Sequence, residues 1–128
     1  MTKLGVGIVA ALVGLAIALV AVPAGIAKDG DVLVRGKCTK SSTSKLKLSD
    51  EDGRIEVEFE VDQNRNGVRW NVILFQNGKV LRRAARVTKA PSGSFELRVV
   101  APNTSAKDTF RARATSPSSE VCTARASF

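Results

Sequence analysis

Histidine and tyrosine are absent from this chain of 128 residues, which also contains only one tryptophan and two cysteines. Without histidine the commonest general acid or base of enzymes is missing, so we expect a protein that is not an enzyme. Two thiols supply half of a structural zinc site and no imidazole completes it, so we expect neither a metal nor a cofactor. The shortage of aromatic rings leaves little with which to stack bases, and we therefore expect no nucleic-acid partner.

Two short patterns are similar to parts of catalytic or metal sites, but both are incomplete. Ser42-x-x-Lys45 has the serine–lysine spacing of penicillin-binding enzymes, without the companion motifs. The run 62–67 (DQNRNG) matches the first half of a calcium-binding loop, but the twelfth position, where a carboxylate is required, is Ile73. We interpret the first pattern as a coincidence and the second as an ordinary turn between two strands.

Charge is almost missing from residues 1–27, where Lys3 is the only ionisable side chain. The positions 4–22 are aliphatic residues, alanine or glycine, and small residues follow them. A basic start, an apolar middle and small residues before the cut are the layout of a secretory signal peptide. We predict that 1–27 is a signal peptide cleaved after Ala27, with Ala24 as second choice, and that the protein is secreted, with retention at the cell surface left open. The alternative is an uncleaved membrane anchor, because an apolar run of about 20 residues can span a bilayer.

The remainder, 28–128, predicts a single β-sandwich domain, because about 100 residues allow only one modest hydrophobic core. Cys38 and Cys122 lie near opposite ends of this segment and would meet an oxidising compartment after export, so we predict a disulfide bond between them. In the chain-entropy model, closing a loop of that length stabilises the fold by about 4.6 kcal/mol. We expect the domain to be a monomer.

Strand-like alternation dominates this domain, and no helical period appears in it. In 54–62 the apolar residues alternate with glutamate and aspartate, which is the period of a strand with one buried face. Asn77-Gly78, between two such runs, is a strong hairpin signal. Seven short strands with turns between them predict an all-β, antiparallel two-sheet sandwich, with Gly30–Arg35 as an extra edge strand. The seven predicted strands are 45–48, 54–62, 68–76, 79–88, 95–99, 110–114 and 120–126.

Two motifs carry a resemblance to known β-sandwich families. Trp70, on the third predicted strand, resembles the core tryptophan of immunoglobulin-type domains, and 110–114 (FRARA) is similar to a sixth-strand pattern of fibronectin type III domains. The whole also resembles small exported β-sandwich proteins of actinomycete bacteria. The resemblance implies that the first, second and fifth strands form one sheet and the others a second. It also implies that Cys38 and Cys122 lie at one pole on opposite sheets, so that their bond joins the sheets. It carries over no functional residue.

Carboxylates are missing between Val68 and Lys89, whereas arginine is frequent there. Alternation predicts paired charges on the first sheet and an excess of cations, with exposed apolar groups, on the outer face of the second. A formal net charge of +8 fits an anionic partner. Two other interpretations stay open, in which the cations only keep the protein soluble or only block pairing at a sheet edge. The predicted binding face consists of Arg69, Ile73, Phe75, Arg82, Arg86, Arg111, Arg113 and Arg125.

These observations predict an exported, non-catalytic binding module whose basic sheet contacts an anionic cell-surface or extracellular partner, such as a cell-wall polymer or an acidic protein. A membrane partner is expected only if the N-terminal segment is not cleaved. The alternative function is inhibition of a secreted enzyme such as a protease, through the loops 62–67 and 116–119 at one pole of the sandwich.

Overall fold

The computed structural model describes residues 30–104 and 106–128, and the strands found there number nine, with no helix among the described residues. The predicted signal peptide lies outside the described residues. No helix of the described part is long and apolar enough to cross a membrane. The strands are β1 (Val32–Arg35), β2 (Lys37–Cys38), β3 (Thr43–Glu51), β4 (Arg54–Asp62), β5 (Arg69–Gln76), β6 (Lys79–Val87), β7 (Ser94–Ala101), β8 (Thr109–Thr115) and β9 (Val121–Ser127).

The strands form two antiparallel sheets, which confirms the predicted all-β two-sheet architecture. Sheet one has the order β1-β3-β4-β7, and sheet two has the order β2-β9-β8-β5-β6. The seven predicted strands correspond to β3 through β9, and they divide between the sheets as expected. The predicted count of seven is too low, because the segment before them adds the expected edge strand β1 and the unexpected strand β2.

Alternation along the strands separates a buried face from an outer face. The apolar side chains of β4 are fully buried, and the carboxylates between them point to the outer side of sheet one. Trp70 is also fully buried, and its ring centroid lies 6.0 Å from that of Phe95 on the opposite sheet. Its indole N–H donates to Oε1 of Gln63 at 3.1 Å, so the one polar group of this core side chain is satisfied.

Two hairpins have the two-residue turns that the sequence indicates. Asp52-Gly53 joins β3 to β4, and Asn77-Gly78 joins β5 to β6. The four residues have positive φ values between 50° and 80°. This backbone conformation matches the right-handed twist of the flanking strands, and asparagine, aspartate and glycine tolerate it best.

The N-terminal segment passes from one sheet to the other at Gly36. β1 pairs with β3 in sheet one, and β2 then pairs with β9 in sheet two. A Cβ atom at Gly36 would lie 2.2 Å from Oγ of Ser44 and 2.5 Å from the carbonyl oxygen of Thr123. Only glycine therefore lets the chain pass between β3 and β9 without displacing them.

The predicted disulfide joins Cys38 to Cys122, whose Cα atoms are 4.0 Å apart. The two residues are direct partners in the β2–β9 pair, so the bond lies within sheet two. The expectation that it would join the two sheets is wrong, because the chain has already crossed at Gly36 when it reaches Cys38. The bond instead fastens a two-residue edge strand to the last strand of the domain.

A β-bulge interrupts the β5–β6 hairpin just after its turn. Phe75 pairs with Val80, but Leu74 pairs with Arg82, so that Leu81 is an extra residue in β6. One extra residue reverses the face to which every later side chain of a strand points. The bulge therefore decides which arginines of β6 lie on the outer face of sheet two.

Candidate functional site

The outer face of sheet two carries many cations and, within the part of the chain that the structure describes, no carboxylate. Directly opposed residues of neighbouring strands point to the same face, so the strand register defines its rows. One row contains Lys37, Thr123, Arg113, Ile73 and Arg83, and the next contains Arg125, Arg111, Phe75 and Val80. Arg69 and Val87 form a further pair. We call this surface the cationic face; its cations are Lys37, Arg69, Arg83, Arg111, Arg113 and Arg125.

The structure separates the predicted site residues into two groups. Arg82 and Arg86 were expected on the cationic face, and this placement is wrong. They pair with Leu74 and Trp70, whose side chains are buried, and so they lie on the opposite side of β6. The bulge at Leu81 is the physical reason. The predicted residues that do lie on the cationic face are Arg69, Ile73, Phe75, Arg111, Arg113 and Arg125.

Two cations of this face were not predicted. Because of the bulge, Arg83 takes the place on this face that was predicted for Arg82. The sequence of 79–87 does not indicate the bulge, since the adjacent pairs Arg82-Arg83 and Ala84-Ala85 interrupt the alternation of polar and apolar residues. Lys37 lies opposite Thr123 because β2 joins the sheet edge. The sequence signal that could have indicated a change of sheet before Lys37 is the glycine at position 36, where the chain passes close to Ser44 and Thr123.

Charges on the outer face of sheet one are arranged differently, because cations and carboxylates face each other across the strands as predicted. Lys47 Nζ lies 2.9 Å from Glu58, and both side chains are mostly buried. The hydrogen bond that Lys47 donates to Glu58 raises the pKa of Lys47, whereas burial raises the pKa of Glu58. The ion pairs of this sheet are Lys45–Glu60, Lys47–Glu58, Arg98–Glu51 and Arg98–Glu56.

Glu56 has the largest electrostatic perturbation on sheet one. Its carboxylate accepts a hydrogen bond from Nη2 of Arg98. Arg98 itself is the direct cross-strand partner of Glu58 in the β4–β7 pair. That bond lowers the pKa of Glu56 from 4.5 to about 2, against the opposing effect of burial. The most buried carboxylate on the outer face of sheet one is therefore paired with a cation of the same sheet.

The cationic face has no comparable compensation. All ion pairs among the described residues belong to sheet one, and no guanidinium of the cationic face has a carboxylate within 4.0 Å. Arg111 and Arg125 are direct cross-strand partners, an arrangement of like charges that destabilises a sheet. The face thus presents positive charge to solvent, and the part of the chain that the structure describes supplies no counterion to it.

Apolar groups interrupt this positive surface. The guanidinium carbon of Arg111 lies 4.3 Å from the centroid of the Phe75 ring, which is a cation–π contact. Val80 and Val87 are 46% and 41% exposed, the highest values among the large apolar side chains of sheet two. A partner that covers this face would therefore bury apolar surface together with its charges.

Two buried carboxylates that the sequence did not reveal organise the poles of the sandwich. Asp108 is fully buried, and burial raises its pKa. Hydrogen bonds from the backbone N–H and hydroxyl of Thr104 and from the amides of Asn77 and Gln76 outweigh burial, so the net pKa is below its ordinary value. Asp108 therefore ties Thr104 to the Asn77-Gly78 turn.

Glu120 has a similar role at the other pole, beside the disulfide. Its carboxylate accepts hydrogen bonds from the backbone N–H groups of Lys40 and Ser42 and from the Ser42 hydroxyl, the last at 2.6 Å. Lys45, the partner in the serine–lysine spacing, instead points to the outer side of sheet one, where its ammonium lies 3.7 Å from Glu60. Ser42 and Lys45 line the same surface depression of about 420 Å³, but each polar group has a different partner: the Ser42 hydroxyl donates to Glu120 and the Lys45 ammonium lies near Glu60. Glu120 also lies close to both cysteine sulfurs, but these are bonded to each other.

The loops 62–67 and 116–119 lie at the same end of the sandwich, since β4 and β8 both end there. The Asp62 carboxylate accepts the backbone N–H of Asn64 at 2.9 Å, and the Arg65 carbonyl accepts the Thr88 hydroxyl at 2.6 Å. These hydrogen bonds within and to the segment 62–67 are typical of an ordinary turn between two strands.

Comparison with known proteins identifies no relative. No protein-family model, no curated protein and no solved structure matches this chain. The candidate site consequently rests on the placement of charged and apolar side chains described above.

Proposed function

We propose that this chain is an exported, non-catalytic and monomeric binding module of the immunoglobulin-like, fibronectin type III-like kind, which contacts an anionic extracellular polymer through its cationic face. The observation that carries the proposal is the separation of charge between the two sheets. Four carboxylates of sheet one, those of Glu51, Glu56, Glu58 and Glu60, take part in ion pairs, whereas within the described residues no cation of the cationic face does.

A role in solubility does not account for this separation. A surface that only keeps a protein soluble intersperses charges of both signs, and sheet one of this molecule does so. On the cationic face the like charges Arg111 and Arg125 are direct neighbours, at a cost in stability. An anionic partner would remove that cost by supplying the missing counterions.

Protection of a sheet edge does not account for it either. Arginine and lysine on an edge strand prevent pairing with another chain, and this explanation fits the arginines of β6. Arg111 and Arg113, however, lie on β8, which is flanked by β5 on one side and β9 on the other. Cations in the middle of a sheet have no edge to protect, so binding explains them better.

Export and fold type are supported by separate observations. The apolar N-terminal run is typical of a secretory signal, and the Cys38–Cys122 disulfide is compatible with an oxidising extracellular compartment. The grouping of β3, β4 and β7 against β5, β6, β8 and β9 is the one that the fibronectin-like resemblance implies.

The test compares two double variants of equal charge. R111S/R113S removes two cations from the cationic face, and R82S/R86S removes two cations that the bulge turns away from it. Retention of the mature protein on beads carrying polyphosphate or polyglutamate, and on purified bacterial cell walls, is measured over a range of salt concentrations. All variants are checked for unchanged circular dichroism.

We expect R111S/R113S to bind about tenfold more weakly, because each exposed ionic contact contributes up to about 1 kcal/mol. Retention of the wild type should fall as salt is added, since screening is strong at distances beyond about 10 Å in 0.1 M salt. R82S/R86S should behave like the wild type. Equal losses for both double variants, or retention that ignores salt, would contradict binding through this face.

A further inference from the structure

Within the cationic face, Arg111 and Arg125 form a distinct constellation with Phe75. The three residues occupy one row across β5, β8 and β9, since Phe75 opposes Arg111 and Arg111 opposes Arg125. A surface depression of about 200 Å³ lies at this row. Its lining residues are Phe75, Gly78, Thr109, Arg111 and Arg125.

We propose that this depression is a binding subsite for the phosphodiester group of an anionic polymer. The inference rests on the proposed function and adds the chemical class of the ligand to it. Arg111 and Arg125 would hold the phosphate oxygens, and the side of the Phe75 ring would contact the carbon chain of the adjoining unit.

The cation–π contact between Arg111 and Phe75 prepares the guanidinium for such a ligand. The guanidinium carbon of Arg111 lies over the Phe75 ring, 4.3 Å from its centroid. The N–H donors lie around the edge of the planar group, and no acceptor within the described residues uses those of either arginine. The ring thus restricts the side chain while leaving its donors available, which reduces the entropy lost on binding.

Two adjacent guanidinium groups favour a phosphate over a carboxylate. One guanidinium already satisfies both oxygens of a carboxylate in a bidentate, planar pair. A tetrahedral phosphate projects its oxygens in different directions and can accept from two guanidinium groups at once. Thr109 lines the same depression, and its hydroxyl lies 3.1 Å from that of Ser127, so this pair has hydrogen-bonding capacity left for a further oxygen.

The open form of the site favours a diester within a chain over a small terminal phosphate. The depression lies on the surface of a sheet, and neither of its arginines is buried. Further cations lie in the neighbouring row, where Arg113 and Lys37 flank Thr123. A polymer with phosphates at regular intervals can therefore contact the subsite and these cations together.

The experiment separates guanidinium geometry from charge. R111K/R125K keeps the charge of the subsite but removes the bidentate fork, and R69K/R83K makes the same exchange elsewhere on the cationic face. Binding to poly(glycerol phosphate) and to polyglutamate of matched charge density is measured by isothermal titration calorimetry. In parallel, the Arg111 and Arg125 Nε–H signals are followed by NMR, and flotation with phosphatidylglycerol vesicles is recorded.

We expect the wild type to bind poly(glycerol phosphate) about tenfold more tightly than polyglutamate. This difference in affinity corresponds to one additional charge-assisted hydrogen bond. R111K/R125K should abolish the preference, whereas R69K/R83K should keep it, and the Arg111 and Arg125 signals should shift on titration. Equal wild-type affinity for both polymers would overturn the subsite while leaving the proposed function intact. Binding to neither polymer would overturn both, and flotation with vesicles in the absence of polymer binding would replace the polymer with a lipid surface.

Discussion

Replacing Glu56 by glutamine should destabilise the domain at neutral pH and have almost no effect near pH 2. The Arg98 hydrogen bond lowers the pKa of Glu56 from 4.5 to about 2 in the folded protein. A group with a lowered folded-state pKa stabilises the fold above its unfolded-state pKa, and this contribution is lost as the pH falls through the folded-state value. The stabilisation is therefore present above about pH 4.5 and disappears towards pH 2.

The magnitude follows from the size of the shift and from the exposure of the partner. A shift from 4.5 to about 2 corresponds to an upper limit of about 3.5 kcal/mol, at about 1.4 kcal/mol for each pH unit. The side chain of Arg98 is 47% exposed, so solvent screening reduces the expected contribution to about 1 kcal/mol. We expect E56Q to lower the free energy of unfolding by about that amount at pH 7.

The assay is urea unfolding of the wild type and E56Q at a series of pH values between 7 and 2, followed by tryptophan fluorescence. E96Q is the matched control, because Glu96 lies on the same sheet opposite Glu60 and takes part in no ion pair among the described residues. Its substitution should leave stability unchanged or raise it slightly, since it relieves a like-charge pair. A cost of E56Q that is the same at pH 2 as at pH 7, or equal to that of E96Q, would refute the reasoning.

Three further predictions concern the parts that fix the fold. Substituting alanine for both Cys38 and Cys122 should lower the free energy of unfolding by about 3 to 5 kcal/mol, measured by guanidinium unfolding; a loss under about 1 kcal/mol would contradict the loop-closure argument. G36A should lower the thermal midpoint by several degrees, a loss of about 1 to 3 kcal/mol, because its methyl group would overlap Oγ of Ser44; an unchanged midpoint would show that the crossing has room. D108N should cost about 2 kcal/mol at pH 7 and less in acid, since the lowered pKa of Asp108 means that its contribution is lost as the pH falls through that value; a pH-independent cost in urea unfolding would contradict this.

The sequence predicts the strands and the sheets well because alternation and turn chemistry are local. The run 54–62 and the structural strand β4 have the same bounds, and the Asn77-Gly78 turn is where the pattern indicates. Burial of Trp70 follows from the same alternation. These features depend on a few neighbouring residues, so they can be predicted from short stretches of the sequence.

The details of the candidate site depend on events that are not local. A single extra residue at Leu81 reverses β6 and exchanges Arg82 for Arg83 on the cationic face. The placement of the disulfide depends on where the N-terminal segment changes sheets, which Gly36 permits through its contacts with β3 and β9. The hydrogen bonds of Asp108 likewise join segments that are distant in sequence, so no pattern in the sequence reveals them.

The most direct test of the binding surface is NMR mapping of its location. Isotope-labelled protein comprising residues 28–128 is titrated with polyphosphate in low salt, and the perturbation of every backbone amide signal is placed on the structure. The account predicts that the largest shifts belong to the outer-face residues of β5, β8 and β9, centred on Arg111, and that they vanish in high salt. Shifts concentrated on the ion-paired surface of sheet one, or scattered over both sheets, would contradict it.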